Sequence, residues 1–372
     1  MTALALACGV IALQAQTYDL VIRHGRVIDG TGNPASSGDV AVSNGRIVVV
    51  GAVTGGGKLE IDARGKIVAP GFIDVHTHAD DVCDLPLAEN FTRMGVTTLV
   101  VGNCGSSVLD VADLFKQMAK TNVSPNIATL IGHGTVRSRV MGGSFMRPPT
   151  EKEIGEMKSL VDKAMKDGAV GLSTGLIYLP GTFAKTEEII TLAKVAAGYG
   201  GIYASHMRDE SGGIYKSLDE LFRIAREAHI PAEVSHIKLS RRNVWGQADQ
   251  VLAAIEKARA EGLDITQDQY CYTASSTGIN SLIPEAAREG GRKKFGERLR
   301  DPAFKRKVVE DMKASLRDSQ ESDYAFAVVA FCEHDKSING LNIVEATRKK
   351  KHGSATLDEQ IDLIIDIEKN GG

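Results

Sequence analysis

From residue 67 to residue 269 the chain repeats one pattern, a short apolar run followed by a longer stretch with helical spacing. The runs are 67–75, Thr97–Val101, Asn126–Ile131, Ala169–Ser173, Gly201–Ser205, Ala232–Ser235 and Asp264–Gln269. Helical patterns sit between them, among them Glu151–Lys166, Thr186–Ala197, Ser217–His229 and Gln247–Ala260. Such alternation builds a parallel sheet with right-handed crossovers. Seven units with no switch point favour a (β/α)8 barrel of the TIM type over an open doubly wound sheet. A chain of 372 residues has room for that barrel and a smaller partner domain.

The smaller part lies ahead of the barrel. Tyr18–Asp29 alternates apolar and polar residues, and Gly30–Pro34 is turn chemistry. Asp39–Gly51 places two apolar runs on either side of Asn44-Gly45, the type I′ hairpin signal. Residues 17–66 therefore read as a small antiparallel β domain, an incomplete sandwich, and 67–372 as the barrel. Gly55-Gly-Gly-Lys58 lacks the frame of a phosphate loop. Thr2–Ala15 is apolar but shorter than the roughly 20 residues that span a bilayer. It matches the core of a secretory signal over residues 1–16, without the positive n-region. The expected location is exported or periplasmic, and otherwise cytoplasmic.

After Thr277 the alternation breaks. Pro284–Arg317 is charged and helical, Phe326–Phe331 is one more strand-like run, and Thr356–Lys369 is a last helix. The net charge is −3 with no long basic block, which argues against nucleic acid or anionic membrane as partners. The five cysteines show no CxxC spacing and form no disulfide framework.

Barrel enzymes carry their chemistry at the C-terminal ends of the strands. Those positions hold His76 and His78, Cys104, His133, Tyr178, His206, His236 and Tyr270. Five of the nine histidines fall in this one class; His24, His229 and His352 lie elsewhere. His76 and His78 are two apart, so a strand aims both imidazoles at one point. Each has a plainer reading: a hydrogen-bonded loop histidine, or for Cys104 a small buried hydrophobe. Together, Cys104, His206 and His236 are zinc chemistry with one position open for water, whose pKa falls toward about 7. His76 and His78 then form or approach a second metal position. His133, between glycines, reads as a mouth-lining residue. Lys238 shares the face of His236 and can hold a substrate carboxylate. Tyr270, Ser275 and Ser276 offer hydroxyl donors to the same group, and Tyr178 can act as an oxyanion donor.

The chain resembles the amidohydrolase superfamily, and within it the D-aminoacylase (N-acyl-D-amino-acid deacylase) family. The matching stretches are Val27–Gly32, Ala69–His78, Gly102-Asn-Cys-Gly105, Gly171–Tyr178, Ser205–Asp209, Ser235-His-Ile-Lys238 and Tyr272–Thr277. The resemblance implies a tight Zn2+ on Cys104, His206 and His236, with His76 and His78 at a weaker position. It implies a small-molecule substrate, an N-acyl amino acid, with its carboxylate on Lys238, Tyr270 and a serine of the 275–276 pair. It also implies Tyr178 near the carbonyl, and an inserted lid over 278–345.

The family's general base is an aspartate at the end of the eighth strand in a Ser-Asp-Gly context, and no such segment occurs here. Asp335 is the only internal stand-in. The expectation is a barrel lacking its last strand, in a truncated chain with low or no activity. Two other readings stay open. A cyclic-amide hydrolase of the dihydroorotase or hydantoinase kind would want a lysine on the fourth strand, where Ser173-Thr174 stand. The last reading is a non-catalytic remnant that still binds metal.

Overall fold

The computed structural model describes residues 17–371. The predicted signal segment, 1–16, lies outside the described residues. No helix among them is long and apolar enough to cross a membrane. The chain forms two compact units, one up to Phe72 and one from Ile73.

The first unit is a five-stranded sheet of β1 (Thr17–Val27), β2 (Ser36–Ser43), β3 (Arg46–Gly51), β4 (Gly56–Asp62) and β5 (Ile67–Val68). The order is β3-β2-β1-β4, with β5 also on β1. The β1–β2 and β2–β3 pairs are antiparallel, whereas β4 and β5 run parallel to β1. Asn44 and Gly45 turn the β2–β3 hairpin at φ 51° and 69°, the left-handed pair that a type I′ turn requires. Tyr18, Val21 and Ala41 are buried together, while Ile47, Val50, Leu59 and Ile61 are exposed.

The second unit holds a seven-stranded sheet: β6 (Phe72–Asp74), β7 (Val96–Val101), β8 (Asn126–Gly132), β9 (Gly171–Gly175), β10 (Ile202–His206), β11 (Ala232–Val234) and β12 (Ile265–Gln267). Strands neighbour one another in chain order, as a parallel TIM-like half-barrel lacking a strand. The helices are α1 (Glu89–Thr92), α2 (Val111–Thr121), α3 (His133–Met141), α4 (Glu151–Lys166), α5 (Thr186–Ala197), α6 (Ile214–Ala228), α7 (Ala248–Ala260), α8 (Gly291–Arg298), α9 (Pro302–Asp318), α10 (Ile343–Lys350) and α11 (Leu357–Asn370).

Local chemistry sets several helix ends. Thr150 Oγ1 accepts from Glu153 N, and the Glu153 carboxylate accepts from Thr150 N, so a reciprocal capping box starts α4 at Glu151. Leu172, Ile189, Leu192, Tyr203 and Val234 lie in one buried cluster between sheet and helices. Fully burying side chains of that size is worth about 1.5–3 kcal/mol each.

The strand-like run Phe326–Phe331 is not a strand of the sheet. It makes one isolated bridge, Val328 to Asn342, and Val329 N donates to Leu341 O at 2.9 Å. Its alternation is real, with Val329 buried and Val328 exposed, but the partner is a nearby loop. Residues between Ile283 and Ile367 share a second hydrophobic core, built on Phe295, Met312, Tyr324, Ile338, Ile361 and Ile364. The last helix, α11, packs in that core.

Candidate metal centre

The centre begins where β7 stops. Gly102 (φ 76°) leaves the strand, and a Cβ there would collide with the Leu130 carbonyl, so the turn demands glycine. Ser173, fully buried on β9, clamps both ends of the next turn. Its Oγ donates to Gly102 O at 2.5 Å and accepts from Gly105 N at 3.0 Å. Asn103 Nδ2 donates to Val100 O at 3.0 Å, anchoring the loop on β7. Cys104 is held between these ties at φ 54°, a left-handed conformation that costs a non-glycine residue about 1–3 kcal/mol. His236, just past β11, is also left-handed at φ 38°. Both strained residues present metal-ligating side chains inward.

Three strands thus deliver three buried donors to one place. Cys104 Sγ lies 3.8 Å from His206 Nδ1 and 3.5 Å from His236 Nε2. All three ligand atoms fall within 4.8 Å of one another. A tetrahedral zinc with Zn–N near 2.0–2.1 Å and Zn–S near 2.3 Å would separate its donors by about 3.3–3.6 Å. The donor set, its spacing and its burial fit such an ion. His76 Nε2 is 3.5 Å from the same sulfur, and His76, His78 and Cys104 form a second ligand group. Cys104 is common to both. His78 is the exposed member.

Two carboxylates absent from the sequence-based site lie behind the ligands. Asp268 accepts from His236 N at 2.6 Å and faces His76 Nδ1 at 3.2 Å. Glu210 faces His236 Nδ1 at 3.2 Å and His206 Nε2 at 3.9 Å. Asp268 follows β12, a position the strand-end rule covers. Glu210 sits in a loop, where its type and place carry no sequence signal.

The predicted substrate residues divide. Tyr178 packs its ring 4.8 Å from that of His206 and bonds Thr277 Oγ1 at 3.0 Å. Burial raises the Tyr178 hydroxyl to about 12, so it is a donor at neutral pH. Lys238 Nζ is committed to Glu210 Oε1 at 2.6 Å and lies 5.7 Å from the centre of the Tyr270 ring. The buried Tyr270 hydroxyl makes no well-formed hydrogen bond, and Ser275 is close enough to act on its ionisation but not to bond it well. Ser275 and Ser276 are both exposed.

His133 does not line a mouth. It is fully buried, with Nε2 donating to Glu188 Oε1 at 2.8 Å, and the buried Arg137 shares that carboxylate at 3.0 Å. The flanking glycines read as a turn signal, but Gly134 is already in α3 and the ring turns into the protein. Asp335 caps residues 336–338 and pairs with Lys350, within the second core's neighbourhood rather than at the ligands.

Burial pushes the Cys104 thiol up to about 12 and pulls His206 down to about 3. The bare centre thus holds a neutral thiol beside a neutral His206 imidazole. A cleft of about 690 Å³ opens from it, lined by His78, Cys104, Tyr178, Ser138 and Arg139 among others. Among the described residues, no Asp or Glu lines this cleft. A second cavity, about 380 Å³ among α9, α10 and α11, contains none of these residues.

A model of the Amidohydrolase family matches residues 59–352. A D-aminoacylase of Alcaligenes xylosoxydans xylosoxydans is 37% identical over 290 residues, covering 71% of this chain and 59% of the relative. An N-acyl-D-glutamate deacylase of the same organism is 36% identical over 296 residues, covering 73% and 60%. The chain therefore spans about 60% of the length of these curated relatives. The crystal structure of a D-aminoacylase superposes with a TM-score of 0.76 at 29% identity, over 94% of this chain and 70% of the other. The N-acyl-D-glutamate deacylase of Bordetella bronchiseptica, solved with zinc and a phosphonate inhibitor, gives 0.74 at 28% identity, over 96% and 70%. With a family model over most of its length, the chain belongs to the amidohydrolase family and resembles the D-aminoacylases and N-acyl-D-glutamate deacylases within it.

Proposed function

We propose that this chain carries the metal site of a hydrolase that cleaves the linear amide of N-acyl-D-amino acids, with Zn2+ held by Cys104, His206 and His236. The observation that carries this reading is the convergence of those three buried donors, with Cys104 on the wall of the cleft. When bound, the ion supplies Lewis acidity toward a carbonyl and toward water. The chain's own residues do the rest. Tyr178, protonated and beside His206, donates a hydrogen bond to the carbonyl oxygen. Tyr270 and Lys238 take the α-carboxylate, and the unbonded Tyr270 hydroxyl is the donor free to do so. His76 and His78 form the second, weaker metal position.

Turnover is expected to be slow. The two carboxylates behind the ligands are engaged, Asp268 by His76 and the His236 amide, and Glu210 by Lys238. A positioned general base contributes about 10²–10⁴-fold, and among the described residues no carboxylate lines the cleft to serve as one. The test is hydrolysis of N-acetyl-D- and N-acetyl-L-amino acids by the zinc-loaded protein. Slow, D-selective release of the amino acid supports the reading. Turnover of a cyclic amide instead, or no zinc binding at all, overturns it.

The cleft also speaks to the side chain of the substrate. Arg139 is exposed, lines the cleft and forms no salt bridge among the described residues. Its guanidinium suits a second carboxylate, and the relatives' names include N-acyl-D-glutamate and N-acyl-D-aspartate deacylases. N-acetyl-D-glutamate is therefore expected to outcompete N-acetyl-D-leucine in kcat/KM. Arg139→Ala should lower the first by about 10-fold, the loss of one charge-assisted hydrogen bond, and leave the second unchanged. Equal loss on both substrates would remove Arg139 from side-chain recognition.

A further inference from the structure

We infer that Glu210 is the positioning residue of the metal centre: a single carboxylate that fixes which nitrogen each of two ligand histidines turns toward Cys104. The inference rests on the metal centre proposed above and concerns a residue outside the ligand set. Glu210 follows β10 by four residues, in a loop with no helix to orient it. Its side chain is nevertheless almost wholly buried. Oε1 lies 3.2 Å from His236 Nδ1, and Oε2 lies 3.9 Å from His206 Nε2. One oxygen therefore faces the outer nitrogen of each ring.

The two rings point opposite nitrogens at the sulfur. His236 offers Nε2, whereas His206 offers Nδ1. A neutral imidazole that gives one nitrogen to a metal carries its proton on the other. His236 must then be protonated on Nδ1 and His206 on Nε2, the two atoms that Glu210 faces. His206 Nε2 is buried and has no hydrogen-bond partner. Its 3.9 Å to Glu210 is an ion-pair distance, longer than a hydrogen bond.

Lys238 makes the choice of tautomer a contest. Its Nζ lies 2.8 Å from His236 Nδ1, and an ammonium can donate only to a bare nitrogen. That bond favours the proton on Nε2, the tautomer that cannot ligate. Glu210 opposes it twice, as acceptor for Nδ1–H and as the partner that holds Lys238 at 2.6 Å. Carboxylates in this position behind ligand histidines orient the ring and raise its basicity, and their loss costs about 10–100-fold in metal affinity.

The test is zinc affinity, measured by competition with a chromophoric chelator, for the full chain and five variants. Glu210→Gln is expected to bind zinc about 10–100-fold more weakly with an unchanged circular dichroism spectrum, and Glu210→Asp to recover part of the loss. Lys238→Met should bind as tightly as the parent or tighter, because the competing donor is gone. Glu210→Gln/Lys238→Met should stay weak. If the double variant regains full affinity, Glu210 only neutralises Lys238 and the inference fails. Unchanged affinity in Glu210→Gln also sinks it. If Cys104→Ala retains zinc while Glu210→Gln does not, the failure lies with the metal centre proposed above.

Discussion

Cys104→Ala is expected to purify without stoichiometric zinc and to lose the deacylation proposed above. Cys104 is the one donor shared by both ligand groups, so its removal leaves His206 with His236 and His76 with His78 as separate pairs. Losing a carboxylate behind a ligand costs about 10–100-fold in affinity, and losing the thiolate itself should exceed the upper end of that range. The fold should survive. The loop is tied by Ser173 to Gly102 and Gly105 and by Asn103 to Val100, none of which needs the sulfur. Without metal the buried thiol is neutral, its pKa pushed up to about 12, so alanine removes no charge. Metal analysis of the purified variant beside its thermal melt checks both halves. A variant that keeps one zinc per chain, or one that fails to fold, contradicts this account of the loop.

Glu188→Gln is expected to be the most destabilising single change outside the ligands. Glu188, on α5, accepts from His133 and Arg137, both on α3 and both fully buried. Removing the charge leaves the Arg137 guanidinium buried with no anion beside it, only neutral acceptors: the carbonyls of Phe145 and Arg147 and the glutamine amide oxygen. Breaking a buried pair this way costs about 3–5 kcal/mol. Replacing all three residues by apolar ones of similar size should cost less than the single change, because no uncompensated charge then stays behind. Urea unfolding of the single and triple variants decides between them.

The same carboxylate sets a pH dependence. Burial opposes ionisation of Glu188, but the hydrogen bond from His133 and the charges of His133 and Arg137 outweigh it, holding the carboxyl below its ordinary 4.5. A group with a depressed folded pKa stabilises the fold above its unfolded pKa and loses that contribution as pH falls through the folded value. The gap in stability between the parent and Glu188→Gln should thus be full at neutral pH and narrow below about 4.5. A gap independent of pH would mean that Glu188 is already protonated in the fold.

The fold was largely legible because its signals are local. Thr150 and Glu153 cap α4 at the residue where the apolar period begins, and Asn44-Gly45 turns β2 into β3. Phe326–Phe331 misled for the same reason. Alternation reports that one face is buried, not which segment covers it, and here Val329 enters the second hydrophobic core while the backbone pairs with a loop near Leu341. His133 carried the same ambiguity. A histidine flanked by glycines can turn toward solvent or into the protein, and the choice depended on Glu188, 55 residues away.

By itself the sequence determined the order of strands and helices and the placing of Cys104, His206 and His236 at strand ends. Those follow from apolar period and turn chemistry within a dozen residues or so. Only the tertiary structure decided that Glu210 and Asp268 stand behind those side chains, that Lys238 is already paired, and that Arg139 lines the cleft with no salt bridge among the described residues. The physical reason is range. Asp268 and His76 are separated by 192 residues, and a hydrogen bond across that gap exists only once every intervening strand has taken its place beside the next.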